Sequence, residues 1–169
     1  MSGAKYGDEF ITHEFDEAIA IQQAIVDGAE KLATAHSRAQ SKKLIKTTLR
    51  EDEKFLGELR RLGKKHDATG KLEGVALSLK DLMDETAQSA AEAPSESYEA
   101  HAVLINLKRK QQDSAAAMVK IAREQKDTDL RDSALAFGKA TKASAQELAD
   151  DLALFAVEIA TRQPTRARA

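Results

Sequence analysis

The stretch SKKLIKTTLREDEKFLGELRRLGKK, residues 41–65, decides the fold class. Leu44, Ile45, Leu49, Phe55, Leu56, Leu59 and Leu62 recur at three- and four-residue steps, with Lys, Arg and Glu between them. That period puts the apolar residues on one face of a helix and the charges on the other. A strand would alternate every second residue, and this segment does not. The polar run from Lys64 to Gly70 predicts where the helix stops.

The same period extends in both directions. Upstream it predicts a helix over about 8–38, with Ile11, Phe15, Ala18, Ile25, Ala29, Leu32 and Ala33 on one stripe. Downstream, a shorter helix over about 71–92 presents Leu72, Val75, Ala76, Leu79, Leu82 and Met83. Ala93-Pro94-Ser95-Glu96 then breaks the chain, and Ser95 is the expected N-cap of a helix over about 96–126. Asp127, Thr128 and Asp129 cap a fifth helix over about 130–162, with Leu130, Ala134, Phe137, Thr141, Leu148, Leu152, Phe155 and Ile159 on its seam. A basic tail, 163–169, follows and is expected to fray. The order is long, long, shorter, long, long, in one domain over 1–169. Short connections make each long pair an antiparallel hairpin. The third helix either links the hairpins or packs as a fifth member.

Composition agrees with helix and narrows the function. Two prolines and eight glycines in 169 residues leave few breakers, and the absence of tryptophan leaves Leu, Ile, Val and Ala to build the core. Acids and bases nearly cancel (28 against 26), so no electrostatic footprint for nucleic acid exists. With no cysteine, disulfides, thiolate metal sites and cysteine nucleophiles are excluded. No apolar run approaches the roughly 20 residues that span a bilayer, and MSGAKYGDEFITHEF contains no basic region followed by an apolar one. A cytoplasmic protein is expected. No glycine-rich phosphate loop, serine–histidine arrangement or dinucleotide fingerprint is present.

Polar residues inside the apolar arcs are the informative exceptions. Gln22 and His36 fall there on the first helix, Thr48, Asp52 and His66 on the second, and Thr141 and Ser144 on the fifth. His101, Lys108, Gln111 and Gln112 do so on the fourth. An unsatisfied buried polar group costs roughly 1–3 kcal/mol, so these side chains are expected to share a polar layer. Such a layer serves as an active site, a metal site or a structural network. A di-metal carboxylate centre needs about four acids and Glu-x-x-His spacing, which no helix supplies. A structural network is the expectation. The four histidines, His13, His36, His66 and His101, lack short-range ligand partners and fit packing or capping better than metal binding. His66 precedes Asp67-Ala68-Thr69-Gly70, a helix end rather than the context of a phosphotransfer histidine. Lys108-Arg109-Lys110, with Asp113 close by, reads as a solvated helix face.

KLATAHSRAQSKKLIKTTLREDEKFLGELRRLGKKHDATGKLEGVALSLKDLMDE, from Lys31 to Glu85, resembles the ferritin-like bundles of the YciF/YciE stress-protein type. The helix end at Lys31–Ala35 and the acidic run after Leu49 carry the likeness, and AVLINLKRKQQDSAAAMVKIA resembles the start of that family's third main helix. The resemblance implies an antiparallel four-helix bundle with a crossover helix over 70–85, generally dimeric and linked to stress response. It also implies metal positions that are mostly substituted here. Gln22 falls where glutamate is usual and Thr48 where histidine is usual, while Glu51 is retained. Gln112 and Asp113 replace a Glu-His pair, and Ser144 stands near an acid position.

The expected function is therefore non-enzymatic, in a structural, interaction or stress-associated role without metal or other cofactor. A homodimer is expected to use Val103, Ile121, Leu135 and Val157, apolar positions off the main stripes. The alternatives are a divergent di-iron or di-manganese oxidase using Glu51, Asp52 and His101, and a degenerate phosphotransfer or adaptor bundle using His66 or His101.

Overall fold

Helix accounts for most of residues 5–162, the residues that the computed structural model describes. The helices are α1 (Gly7–Ala35), α2 (Ala39–Gly63), α3 (Gly74–Ser89), α4 (Pro94–Gln125) and α5 (Thr128–Thr161), and a 3-10 turn at Lys64–His66 extends α2. The predicted ends shift by up to three residues. α1 stops before His36, whose backbone turns extended while its N–H donates to the Leu32 carbonyl. α4 begins at Pro94 rather than after Ser95, because proline at the first helical position needs no N–H partner and its φ already suits a helix. Asp127 caps α5 as expected, accepting from the Leu130 N–H at 2.9 Å. Just before it, Lys126 adopts the left-handed conformation (φ 57°), and the Asp127 N–H donates back to Ala122. The basic tail 163–169 lies outside the described residues.

Partner contacts set the helix directions. Thr12 meets His66, and Gln22 meets Asp52, so α1 and α2 run antiparallel. His36 meets His101 and Gln22 meets Gln111, which makes α1 and α4 antiparallel. Ser41 meets Asp151 and Arg61 meets Asp129, giving the same for α2 and α5. α4 and α5 form the second hairpin, packed so closely that a Cβ on Gly138 would lie 3.2 Å from Ala115. The four long helices thus form a square in which α2 and α4 sit on a diagonal and point the same way. A chain leaving α2 must travel the length of the bundle before α4 begins.

α3 makes that journey, and it also packs. Ala76, Met83, Ala87 and Ala90 join the core against α1 and α4. Gly28 permits the approach: a Cβ there would lie 2.6 Å from Met83 Cγ. Leu72, Val75 and Leu82, expected on the buried stripe, are exposed instead. α3 lies on the outside of the square, so only one narrow seam of it is covered.

The link from α2 to α3 is held by one carboxylate. Asp16 accepts from the backbone N–H groups of Thr69, Gly70 and Lys71 at 2.8, 2.8 and 3.2 Å. Gly70 sits at φ +79°, and a Cβ there would meet Ile19 at 2.6 Å, so glycine is required twice over.

Two apolar clusters make the core. One gathers Ile21, Ile25, Leu32, Ile45, Met83, Leu104 and Leu107 toward the α1–α2 turn. The other gathers Phe15, Phe55, Leu59, Met118, Leu130 and Phe137 toward the α4–α5 turn. Polar side chains from all four long helices occupy the level between them.

Candidate functional site

That middle level is built around a buried ion pair. Lys108 on α4, whose basic run suggested a solvated face, is instead fully enclosed, and its ammonium reaches both carboxylate oxygens of Asp52 on α2 at 2.6 Å. Its third hydrogen bond goes to Ser144 Oγ on α5 at 3.3 Å. Ser144 in turn donates to the Thr141 carbonyl one turn back. Gln111, three residues beyond Lys108 and on the same face, donates to the Ala18 carbonyl and to Gln22 Oε1, each at 2.9 Å. Gln22 completes the chain by donating to the Asp52 carbonyl at 3.0 Å. Thr48 bonds its own helix through the Ile45 carbonyl.

The charges inside this layer cancel. Burial pushes the Asp52 carboxyl above the ordinary range for aspartate, and the Lys108 ammonium opposes that push. An ammonium without its carboxylate, or the reverse, would be an uncompensated charge in a buried layer. The pair is therefore a mutual requirement, whatever its net contribution.

A second polar cluster lies near the α1–α2 turn. The Arg38 N–H donates to His36 Nδ1 at 3.0 Å, so the neutral ring of His36 carries its proton on Nε2. That nitrogen faces His101 Nδ1 at 3.3 Å, which places the His101 proton on its own Nε2. Phe155 covers the His36 ring at a centroid distance of 5.0 Å. Burial holds both imidazoles down at about 4; His101 lowers His36 further, and Asp151 partly opposes the effect at each. Asp151, itself buried on α5, accepts from Ser41 Oγ at 2.6 Å and from the Arg38 guanidinium, which also holds Glu158 at 2.8 Å. Ser97 ties the neighbouring backbone together, accepting from the Ser37 N–H and donating to the Ala90 carbonyl.

Most residues picked from the helical arcs are in these two clusters. Gln22, Thr48, Asp52, Lys108, Gln111, Thr141 and Ser144 share the middle layer, and His36 meets His101. Glu51 does not join them, because its side chain points to solvent one step round from Asp52. Gln112 is only half-buried on the α4–α5 side, and Asp113 is exposed. His66 is half-buried and stacks on Phe15 at 5.0 Å. Val103, placed on a dimer surface by its position off the main stripe, is buried within the chain in the core cluster toward the α1–α2 turn. Ser41, Ser97 and Asp151 escaped the sequence argument. Asp151 had a legible signal, standing three residues after Leu148 and four before Phe155 on the α5 seam.

A di-metal centre does not fit this donor set. Asp52, the one carboxylate of the middle layer, is already neutralised by an ammonium at contact distance. The other polar groups there are amides and hydroxyls. Gln22, Thr48, Ser144 and the Gln111 amide N–H are engaged in hydrogen bonds to one another or to backbone carbonyls, while Gln111 Oε1 has no partner among the described residues. Glu51, Asp52 and His101 have separate surroundings, and among the described residues no group of three or more His, Asp or Glu is arranged to hold a metal. The apolar cavity beside Phe55, Leu59, Met118 and Phe137 measures about 10 Å³, room for one water at most. Among the described residues no helix is long and apolar enough to cross a membrane. No known protein-family model matches the chain, and no curated protein matches it in sequence.

Proposed function

We propose that the chain is a ferritin-like bundle that works without bound metal, as a self-associating structural or interaction protein of the stress-associated kind in the cytoplasm. The buried Lys108–Asp52 pair carries this reading. In a bundle of this kind cations belong at the middle of the four helices, among inward carboxylates. Here a covalently attached ammonium stands at that level and uses the carboxylate available to it. The helix order supports the ferritin-like assignment: two antiparallel hairpins whose second and third long helices run the same way, joined by one crossover helix.

Elemental analysis of protein purified without chelator tests the proposal. It predicts well under one equivalent of transition metal per chain. About two equivalents, the stoichiometry of a di-metal oxidase, would overturn it. Self-association rests on exposed apolar side chains of α5, with Leu135 48% and Val157 61% accessible; Ile121 is half-buried elsewhere, beside Phe10 and Ile11 of α1. Light scattering that gave a monomer mass across micromolar concentrations would remove the dimer from the proposal.

A further inference from the structure

The outward face of α5 is divided by charge about a central glutamine and closed by an apolar residue at each end. Leu135, Lys139, Lys142, Gln146, Asp150, Ala153 and Val157 all lie exposed on one stripe, at three- and four-residue steps. Counted from Gln146, Lys142 and Asp150 stand four residues either side, Lys139 and Ala153 seven, and Leu135 and Val157 eleven. Cations occupy the first half, anions (Glu147 and Asp150) the second, and an apolar residue closes each end. Among the described residues, Lys139, Lys142, Glu147 and Asp150 form no ion pair, although surface charges elsewhere are paired, as in Arg61–Asp129 and Lys31–Asp84. Within one chain Asp150 accepts only from Gln146, at 2.8 Å, and no opposite charge meets either half of the stripe among the described residues.

We infer that α5 is the face on which two copies of the chain pair, antiparallel about a two-fold axis near Gln146. This rests on the self-association proposed above and names its surface. In that arrangement Lys142 lies opposite the partner's Asp150, Leu135 opposite the partner's Val157, and Gln146 opposite its own copy. Each contact occurs twice, as an isologous interface requires. Ala143, Ala149 and Ala153 carry only methyl groups, so the axes can approach to the lower end of the usual 8–10 Å. Parallel pairing would set lysine against lysine and aspartate against aspartate. In a second copy running the opposite way, the basic half of each stripe meets the acidic half of the other. Charge complementarity thus selects a second copy, running the opposite way.

Sedimentation equilibrium of the full chain at low salt tests this, using K139E/K142E, E147K/D150K and an equimolar mixture of the two. All four positions are exposed, and helical circular dichroism verifies that the variants are folded. The wild-type chain is expected to dimerise, with a dissociation constant that rises about tenfold between about 50 mM and about 500 mM salt. Each double variant alone is expected to dimerise at least about tenfold more weakly, and the mixture to recover dimer, because an all-acidic face then meets an all-basic one. A wild-type monomer up to about 500 µM, where weak complexes still form, would overturn both this inference and the dimer itself. A wild-type dimer that neither variant weakens, or a mixture that restores nothing, would overturn the α5 face and leave the dimer standing on another surface.

Discussion

Replacing Lys108 by methionine keeps an unbranched apolar stem as far as the ε position and removes the ammonium with its charge and hydrogen bonds. The Asp52 carboxylate would then be 5% exposed with no cation in reach. At 2.6 Å and an effective dielectric of about 20, the lost attraction is about 6 kcal/mol before solvation is counted. Removing one partner of a buried pair costs roughly 3–5 kcal/mol in practice. For a chain of 169 residues that is a fall of about 10 °C in Tm, out of a total stability of roughly 5–15 kcal/mol. Asp52→Leu should cost a similar amount, because it strands the ammonium with Ser144 alone. The double variant, Asp52→Leu with Lys108→Met, should return to within about 1.5 kcal/mol of wild type or exceed it, since apolar replacement of a buried pair is often neutral or better. Urea denaturation of all four proteins at pH 7 gives the coupling energy directly. A pH series adds a second signature. With the ammonium gone, Asp52 is relieved by taking up a proton, so the deficit of Lys108→Met should shrink on acidification. A single-variant cost below about 1 kcal/mol, or a double variant as poor as the sum of the singles, would show that water reaches the pair and would refute the argument.

Acid should loosen the turn end of the bundle. His36 and His101 sit at about 4 when folded against an ordinary 6.5, so the unfolded chain binds more protons between those values and stability rises with pH across that window. Each imidazole contributes at most about 3 kcal/mol above pH 6.5, lost as pH falls toward 4. Asp52, raised by burial, acts in the opposite sense at the acid end. His101→Gln should roughly halve the slope of stability against pH between 6.5 and about 4.5, and an unchanged slope would remove the pair as its cause. At the α1–α3 crossing, Gly28→Val pushes a branched side chain into Met83 and should cost about 2 kcal/mol or more by thermal melting. Met83→Ala in the same background should recover part of that loss, which a mere propensity effect of valine would not allow.

The local part of this structure was legible because a helical stripe is written at three- and four-residue spacing. Ile45, Phe55, Leu59 and Leu62 are buried where their period places them, and Asp127 caps α5 from its own sequence context. Val103 shows where the argument fails. Its position off the α4 stripe suggested a free surface, but α4 packs on α1, α3 and α5 and is covered on more than one face. The exposed Leu72, Val75 and Leu82 fail for the converse reason: a crossover helix has one neighbouring layer, so part of its apolar surface is left out.

Sequence by itself determined the five helices, their ends within three residues, and the presence of polar groups at mid-helix on the core faces. It did not determine which of those groups would meet. Asp52 and Lys108 are 56 residues apart, His36 and His101 are 65, and Ser41 and Asp151 are 110. Each meeting depends on the rotation and axial offset of two helices, which are set by how all the apolar side chains interlock. One residue of slip would turn Asp52 away and bring Glu51 inward. Tertiary packing alone decided that the polar layer would hold an ammonium and a carboxylate against each other.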